Sequence, residues 1–368
     1  MLLIQNAQVL DPYTGLDARL DLLIGDDGIL SQMEPHIDAP AGCPVFDAAG
    51  KTVAPGLVDT HVHFRDPGQT QKEDMMTGMR AAAAGGFTSV VCMANTLPTC
   101  DNVETLQYVQ NKAREAGGYV NVHQACAVTK GLKGEEMTDF AALLAAGAPG
   151  FTDDGINLTD MHTCLKAMEE AVKHDTVLSF HEEDKSLVLS PGVNYGSKAA
   201  EELGVPGALP SSEEAMVARD IALALRTGAR VVFQHISSGL SVDLIRAGKA
   251  MGAKIYCEVT PHHLSLTGRC ARAWHLRAYE SAAAQGSRPS GTHSRLAGRH
   301  GRSDCDRPRT AHGRGEGQAF RTGTVGHHRT GNRILGVQYL PRQDRCADQN
   351  AAAGKDEQKP VRGLPLCR

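Results

Sequence analysis

The sequence predicts an α/β fold in which a (β/α)8 barrel, incomplete here at about seven units, follows a small N-terminal β domain. Between residues 53 and 267, apolar β-branched runs alternate with helical stretches. Residues 1–52 instead contain short apolar runs that are separated by turn residues. Strand–helix alternation implies parallel strands joined by right-handed crossovers. A doubly wound sheet is the alternative, although no glycine-rich phosphate loop follows the first strand.

The small β domain is predicted over residues 1–52. Apolar runs at residues 2–4 and 8–10 precede Asp11-Pro12, and residues 20–24 precede the turn sequence Gly-Asp-Asp-Gly. Short strands bounded by such turns are typical of a small β domain.

The barrel is predicted over residues 53–267. The expected strands are residues 53–58, 88–93, 119–127, 148–152, 176–180, 230–234 and 254–260. The expected helices are residues 71–84, 103–115, 135–146, 160–173, 212–226 and 241–251. This is close to a (β/α)8 barrel that lacks its last strand, so the C-terminal ends of the strands are expected to open on one face.

Charge divides the chain at Thr267. Residues 1–267 carry 19 Lys+Arg against 34 Asp+Glu, whereas residues 268–368 carry 19 against 8. Ile, Leu, Val, Met and Phe supply only 11 of the 101 tail residues, well under the ~20% that a charged segment usually needs to form a core. We therefore predict that residues 268–368 form a disordered basic tail.

The composition also excludes several classes of protein. The acidic body argues against nucleic acid as the main partner. No apolar run approaches the ~20 residues of a membrane span, and the first residues lack the basic region of a secretory signal. Ten Cys without CxxC pairs fit reduced thiols in a cytoplasm better than a disulfide framework. The sequence thus predicts a cytoplasmic protein.

A His-x-His motif follows the first predicted barrel strand. On an extended chain, His61 and His63 project from the same face because strand side chains alternate. Two convergent imidazoles at a strand end are a natural start for a zinc site. The motif alone is more often a pair of ordinary polar residues at the entry to a loop, so the remaining strand ends decide between the two interpretations.

Residues of the types that bind metal ions also follow other predicted strands. Asp153 and Asp154 follow the fourth strand, His181 follows the fifth and His235 follows the sixth. In a barrel these separated positions converge on one site. The sequence therefore predicts a metal centre.

A second group of polar residues is suited to a carboxylate. Arg65 lies two residues beyond His63 and is expected on the same face of the extended chain, and Asn95 follows the second predicted strand. A guanidinium with a nearby amide can hold a planar carboxylate bidentately. Asn95 is equally explained as a turn residue on sequence alone.

These motifs resemble one known family. Residues 55–68, Pro-Gly-Leu-Val-Asp-Thr-His-Val-His-Phe-Arg-Asp-Pro-Gly, are similar to the metal-binding signature of bacterial class I dihydroorotases in the amidohydrolase superfamily. Further blocks of that family are matched in order by residues 95–96, 153–155, 181–183, 235–239 and 258–264. The resemblance covers residues 1–267, and the combined motifs are specific.

The resemblance implies a zinc site with one or two ions. Its ligands would be His61, His63, Asp154, His181 and His235, with Asp153 as the fallback for the carboxylate. Arg65 and Asn95, with His63 nearby, would hold the carboxylate of the substrate. No Lys stands at the end of the fourth strand, so the carbamylated lysine of hydantoinases is not evident, and an Asp would replace it.

The implied reaction is the reversible cyclisation of N-carbamoyl-L-aspartate to L-dihydroorotate in pyrimidine biosynthesis. In the family, an Asp within a Thr-Asp-His-Ala-Pro-His block at the eighth strand acts as the general base, and this block is absent here. The catalytic base is therefore unknown. Alternatives are an inactive homologue that acts as a structural partner of aspartate transcarbamoylase, or another cyclic amidohydrolase such as a hydantoinase. A homodimer is a further expectation.

The tail has the features of a changed reading frame. Residues 306–312, Asp-Arg-Pro-Arg-Thr-Ala-His, can be encoded so that dropping the first base gives Thr-Asp-His-Ala-Pro-His. Residues 279–285 and 318–333 also permit family-like segments in the same shifted frame. Free codon choice makes a single match weak, but three in the right order are hard to assign to accident.

The first testable prediction concerns the gene. Its codons for residues 306–312, read after omission of the first base, should encode Thr-Asp-His-Ala-Pro-His, because one shift after codon 267 explains both the charge reversal and the lost block. Sequencing the DNA around codon 267 and through codon 312 tests this. Codons that give unrelated residues in the shifted frame would refute the frameshift and leave a genuine basic tail.

Overall fold

The computed structural model describes residues 1–261 and 263 of the 368-residue chain. Within this range the chain forms two compact units. The first contains Met1–Pro98 and Glu104–Ala125, and the second contains Thr99–Val103 and the chain from Cys126 onward. The predicted tail, residues 268–368, lies outside the described residues.

A mixed sheet forms the N-terminal part of the first unit. Its strands pair in the order β3-β2-β1-β4, and β5 also pairs with β1. The β1–β2 and β2–β3 pairs are antiparallel, whereas β4 and β5 run parallel to β1. The strands are β1 (Leu2–Asp11), β2 (Leu16–Ile24), β3 (Leu30–Glu34), β4 (Val45–Asp47) and β5 (Thr52–Val53).

One face of this sheet packs around buried apolar side chains of β1, β2 and β5, which include Ile4, Leu22 and Val53. The β1–β2 register shifts between Ile4 and Ala7, and Asn6 in this bulge has a φ of 61°. Asn tolerates the left-handed region better than most residues with a Cβ. The predicted short strands are thus present, although β1 is one continuous strand across the expected break.

Asp21 on β2 connects this bulge to the chain after β3 through hydrogen bonds. The side chain is buried, and its two oxygens accept hydrogen bonds from Asn6 N at 2.8 Å and from Ile37 N at 3.0 Å. Burial opposes ionisation, but these backbone donors outweigh it, so the pKa of Asp21 is lower than usual.

The first unit continues with a three-stranded parallel sheet in the order β6-β7-β8. Its core contains Phe64, Met79, Val90 and Val109, so the helices bury their apolar faces against the strands. Asp74 begins α1 with a capping box, in which its side chain accepts a hydrogen bond from Thr77 N. The elements are β6 (Leu57–Val62), α1 (Met75–Ala84), β7 (Phe87–Cys92), α2 (Val103–Glu115) and β8 (Asn121–Gln124).

The second unit contains a four-stranded parallel sheet in the order β12-β11-β10-β9. The aromatic rings of Phe140 and Phe151 stack at 3.7 Å between centroids in its core. The strands are β9 (Phe151–Thr152), β10 (Val177–Phe180), β11 (Arg230–Phe233) and β12 (Ile255–Cys257). The helices are α3 (Phe140–Ala145), α4 (Met161–Lys173), α5 (Lys198–Leu203), α6 (Ser211–Thr227) and α7 (Gly239–Ala250), with short 3-10 turns at Lys130–Leu132 and Lys185–Leu187.

The predicted alternation of parallel strands and helices is confirmed within each unit. The six expected helices are all present, and α2 has the expected bounds. The strand predictions are less exact, because β6 begins at Leu57 and ends at Val62, beyond the predicted end. His61 therefore lies within the strand and not after it. Helix α5 was not expected, since its six residues are too few for a helical period to stand out.

The second testable prediction is that Asp21→Asn loosens the N-terminal sheet. An amide has one acceptor oxygen for two backbone donors, and losing a buried hydrogen bond costs about 1–3 kcal/mol. Amide exchange in peptides that contain Asn6 and Ile37 should accelerate at neutral pH.

The effect should depend on pH with a defined sign. Because the folded-state pKa of Asp21 is lowered, the stabilisation is fully present above about pH 4 and is lost as the pH falls through the lowered value. The exchange difference between variant and unchanged chain should therefore shrink in acid. Glu169→Gln, at an exposed position far along the chain from both peptides, is the control and should alter neither of them. Equal exchange in Asp21→Asn and the unchanged chain at neutral pH would contradict the prediction.

Candidate metal centre

The first unit places two of the predicted ligands at the end of β6. The rings of His61 and His63 are 5.2 Å apart between centroids and meet edge to face at 65°. His63 Nδ1 lies 3.0 Å from Asn95 Oδ1, so Asn95, from the segment after β7, orients the His63 ring. The His61 backbone N donates to the Asp59 carboxylate at 3.0 Å. His63 and Asn95 are therefore direct neighbours.

Arg65 does not continue the strand alternation on which its prediction was based. Strand β6 ends at Val62, and Arg65 has a φ of 57°, in the left-handed region. The loop that carries Arg65 is joined to the segment after Asn95 by a hydrogen bond from Leu97 N to Pro67 O at 3.1 Å. A Cβ on Gly68, whose φ is 87°, would lie 1.8 Å from Leu97 O, so only glycine permits this close approach.

The second unit brings together three of the predicted ligands. His181 Nδ1 lies 2.9 Å from His235 Nε2 and 3.8 Å from Asp154 Oδ1. Asp154 is buried, and the two imidazoles are partly exposed. These residues follow β9, β10 and β11, which are neighbours in one parallel sheet. Their side chains therefore meet at the carboxyl ends of these strands.

The spacing of these donor atoms fits a metal ion. Zinc bonds of about 2.0–2.1 Å in tetrahedral geometry separate neighbouring ligand atoms by about 3.3 Å. The observed 2.9 and 3.8 Å fall on either side of this value. Two imidazoles and a carboxylate are also a donor set that zinc prefers. The arrangement can therefore hold a divalent cation with small movements of side chains.

The adjacent carboxylates of Asp153 and Asp154 have different surroundings. Asp153 Oδ1 accepts from Val128 N at 2.7 Å and Thr129 N at 3.1 Å, and the Thr129 hydroxyl donates to its other oxygen. Burial raises the pKa of Asp153 to about 6, although these hydrogen bonds oppose the rise. Asp153 thus fastens the end of β9 to the segment after β8, while Asp154 is the carboxylate within 4 Å of His181.

Arg219 and Asp220 of α6 form a buried ionic cluster with Glu182, next to His181 in the chain. Arg219 binds the Asp220 carboxylate through Nε at 2.6 Å and Nη2 at 2.9 Å, and its Nη1 donates to Leu158 O at 2.7 Å. Leu158 belongs to the loop that follows Asp154. Asp220 in turn neighbours Glu182, the residue after His181. The cluster thus connects α6 to two of the loops that carry predicted ligands.

Glu182 is buried within this cluster. Burial raises its pKa well above the usual value, and the negative charge of Asp220 raises it further. Among residues 1–261 and 263, neither carboxyl oxygen has a conventional donor within hydrogen-bonding range.

The sequence analysis missed this cluster, although a signal was present. The buried positions of α6 follow helical spacing, and Asp220 occupies the same face as Met216, Val217 and Ala224. A carboxylate within an apolar helical face has to be paired in the folded protein. Its partners could not be read from spacing, because Glu182 and Leu158 lie far away in the chain.

No helix within the described residues is long and apolar enough to cross a membrane.

Comparison with known proteins gives the same family that the motifs resemble. A family model described as "Dihydro-orotase-like" matches residues 50–241, just over half of the chain. The dihydroorotase of Clostridioides difficile (strain 630) is 51% identical over 267 residues, which is 73% of this chain and 62% of that protein. The dihydroorotase of Clostridium acetobutylicum is 47% identical over the same shares of the two chains. The chain therefore spans about three fifths of the length of these curated relatives.

A solved structure supports the fold. The L-hydantoinase (dihydropyrimidinase) from Arthrobacter aurescens aligns with a TM-score of 0.60 at 21% identity, over 72% of this chain and 59% of that one. This likeness confirms the predicted α/β class of barrel type. With the match of the family model over residues 50–241, it follows that the chain belongs to the dihydro-orotase-like family.

Proposed function

We propose that this chain derives from a zinc-dependent dihydroorotase, which interconverts N-carbamoyl-L-aspartate and L-dihydroorotate in pyrimidine biosynthesis. The observation that carries the proposal is the group of Asp154, His181 and His235 at the carboxyl ends of neighbouring strands. The 267 residues that match the dihydroorotase of Clostridioides difficile are 51% identical to it. A cytoplasmic location is part of the proposal and is supported by the ten Cys without CxxC pairs.

The proposed ligands of the metal are His61, His63, Asp154, His181 and His235, for one or two zinc ions. The donor spacing within the second unit supports this assignment, as does the edge-to-face pair of imidazoles within the first. When bound, zinc lowers the pKa of a coordinated water from ~15.7 to ~7 and polarises a carbonyl oxygen.

The proposed substrate contacts are Arg65, Asn95 and His63. His63 Nδ1 holds Asn95 through its amide oxygen, which directs the amide nitrogen of Asn95 away from the ring as a donor. The guanidinium of Arg65 is always charged and suits a carboxylate. We assign these donors to the carboxylate of the substrate, which they would hold while the ring nitrogen forms or loses its bond to the carbonyl carbon.

Proton transfer is the step for which this chain lacks an identified residue. Ring closure joins the carbamoyl nitrogen to the side-chain carboxyl carbon, whose C–O bond breaks so that water is released. It requires a base that removes a proton from the carbamoyl nitrogen, and ring opening by water returns that proton. The strand-eight Asp that the resemblance assigns to this task is absent from the frame as written. Residues 268–368 are proposed to be an out-of-frame tail. The 267-residue matches to dihydroorotases support this, because they equal the length of the acidic part.

Two further functions remain as alternatives. An inactive homologue that binds aspartate transcarbamoylase or a second copy of itself is favoured by the absent base. A hydantoinase is favoured by the solved structure with the same fold, but residues 150–155 contain no Lys that could be carbamylated. Dihydroorotase is preferred, because the named relatives of that activity are far closer in sequence.

The third testable prediction compares this chain with a frame-restored version. Without the general base, turnover of carbamoyl-aspartate and of dihydroorotate should be lower in the chain as written by at least ~10²–10⁴-fold. Both proteins are loaded with zinc and assayed in both directions, with hydantoin as a second substrate. Removal of zinc by a chelator should abolish turnover by the restored protein, and re-addition should recover it.

Each outcome of this comparison is informative. Near-equal turnover by the two proteins would show that the tail supplies a base and would refute the frameshift. Activity of the restored protein on hydantoin but not on dihydroorotate would establish the hydantoinase alternative. Asp154→Asn in the restored protein should lose activity, whereas Glu169→Gln, at an exposed position on α4, should retain it.

A further inference from the structure

The turn after His235 is bound to α6 by two carboxylates, of which Glu213 makes the backbone contacts; Glu214 accepts a hydrogen bond from the Ser238 hydroxyl alone. Glu213 Oε2 accepts hydrogen bonds from Ser237 N at 2.9 Å and from the Ser237 hydroxyl at 2.7 Å. Glu213 Oε1 accepts from Ser238 N at 3.0 Å. Both carboxylate oxygens are therefore committed to two consecutive residues of a single turn.

This turn holds His235 in an unusual backbone conformation. His235 has a φ of 31°, which residues with a Cβ rarely adopt. The residue before it is held in the sheet by Gln234 N donating to Phe180 O, and the residue after it by Ile236 N donating to Glu258 O, both at 2.9 Å. Such a conformation persists only where the surroundings over-determine it, and the Glu213 contacts are the next restraint along the chain.

The position of Glu213 suits a charged anchor. The side chain is only 9% exposed and lies in the first turn of α6, while Ser238 is the N-cap of α7. Hydrogen bonds to a charged acceptor are stronger than neutral ones, and the N-terminus of a helix favours negative charge. The turn thus presents Glu213 with donors that suit a carboxylate.

We propose that Glu213 is a positioning residue for His235, which it holds at the angle required for metal binding through the backbone of Ser237 and Ser238. The inference rests on the proposed function, because it assigns His235 to the metal. Glu213 contacts neither metal nor substrate, and its effect passes through the turn. Outer contacts that orient a ligand typically change metal affinity ten- to a hundredfold when removed.

The fourth testable prediction uses the full chain with zinc as the probe. Zinc affinity is measured by competition with a coloured chelator for the unchanged chain, Glu213→Gln, Glu213→Ala and the exposed control Glu169→Gln. His235→Ala establishes how much of the binding belongs to this site. Glu213→Gln keeps the size of the side chain and one acceptor, so it should fold and bind zinc about ten- to a hundredfold more weakly. Glu213→Ala should be weaker still, and Glu169→Gln should be unchanged.

A second measurement does not depend on metal. Amide exchange in peptides that cover residues 235–239 of the zinc-free chain should accelerate on the order of tenfold or more in Glu213→Gln, because two backbone donors lose a charged acceptor. The control should exchange as the unchanged chain does.

The two measurements separate the failure of this inference from that of the proposed function. If the unchanged chain binds no zinc, or if His235→Ala binds it equally well, the proposed metal site is wrong, and exchange alone then decides whether Glu213 holds the turn. Unchanged exchange in Glu213→Gln would overturn the inference. Accelerated exchange with zinc affinity within twofold of the unchanged chain would also overturn it, because Glu213 would then stabilise the turn without positioning a ligand.

Discussion

The bidentate pair of Arg219 and Asp220 is the interaction on which the second unit depends. Asp220 is 1% exposed, and an ion buried this deeply is tolerated only with a close partner of opposite charge. The pair also bears on Glu182, because burial and the neighbouring Asp220 carboxylate raise the pKa of Glu182 well above its usual value. Arg219 also donates a hydrogen bond to Leu158 O, which connects α6 to the loop after β9. Asp220 neighbours Glu182, so the same ion pair also connects α6 to the residue after His181.

The sequence predicted those features that depend on local periodicity. Helix α2 has the expected bounds because its apolar residues recur at helical spacing, and the ends of β9, β10 and β11 were located because each apolar run stops at a His or Asp. Features set by contacts between distant segments were missed. The left-handed backbone of Arg65 and the partners of Asp220 depend on residues far away in the chain, and no local pattern specifies them.

Asp153 and Asp154 are adjacent after β9 but make different contacts. Both residues follow Thr152, the last residue of β9, and their side chains enter different environments. Asp153 enters one with three donors, which commits it to holding the segment after β8. Asp154 enters one that contains imidazoles. The rigidity of the first residue limits the movement of the second, which is what a site with fixed ligand spacing requires.

The composition of the tail bears on its origin through the genetic code. A basic segment maintained for its charge can use lysine and arginine alike, and residues 1–267 contain 11 Lys and 8 Arg. Residues 268–368 contain 17 Arg and only 2 Lys, although the charge of the two side chains is the same. Most arginine codons begin with C and G, whereas lysine codons contain only A and G. A bias toward arginine without lysine is what G- and C-rich bases produce in a frame that was not selected for its protein, so it favours the proposed out-of-frame origin of residues 268–368. The same origin would account for the small number of large apolar side chains in this part of the sequence.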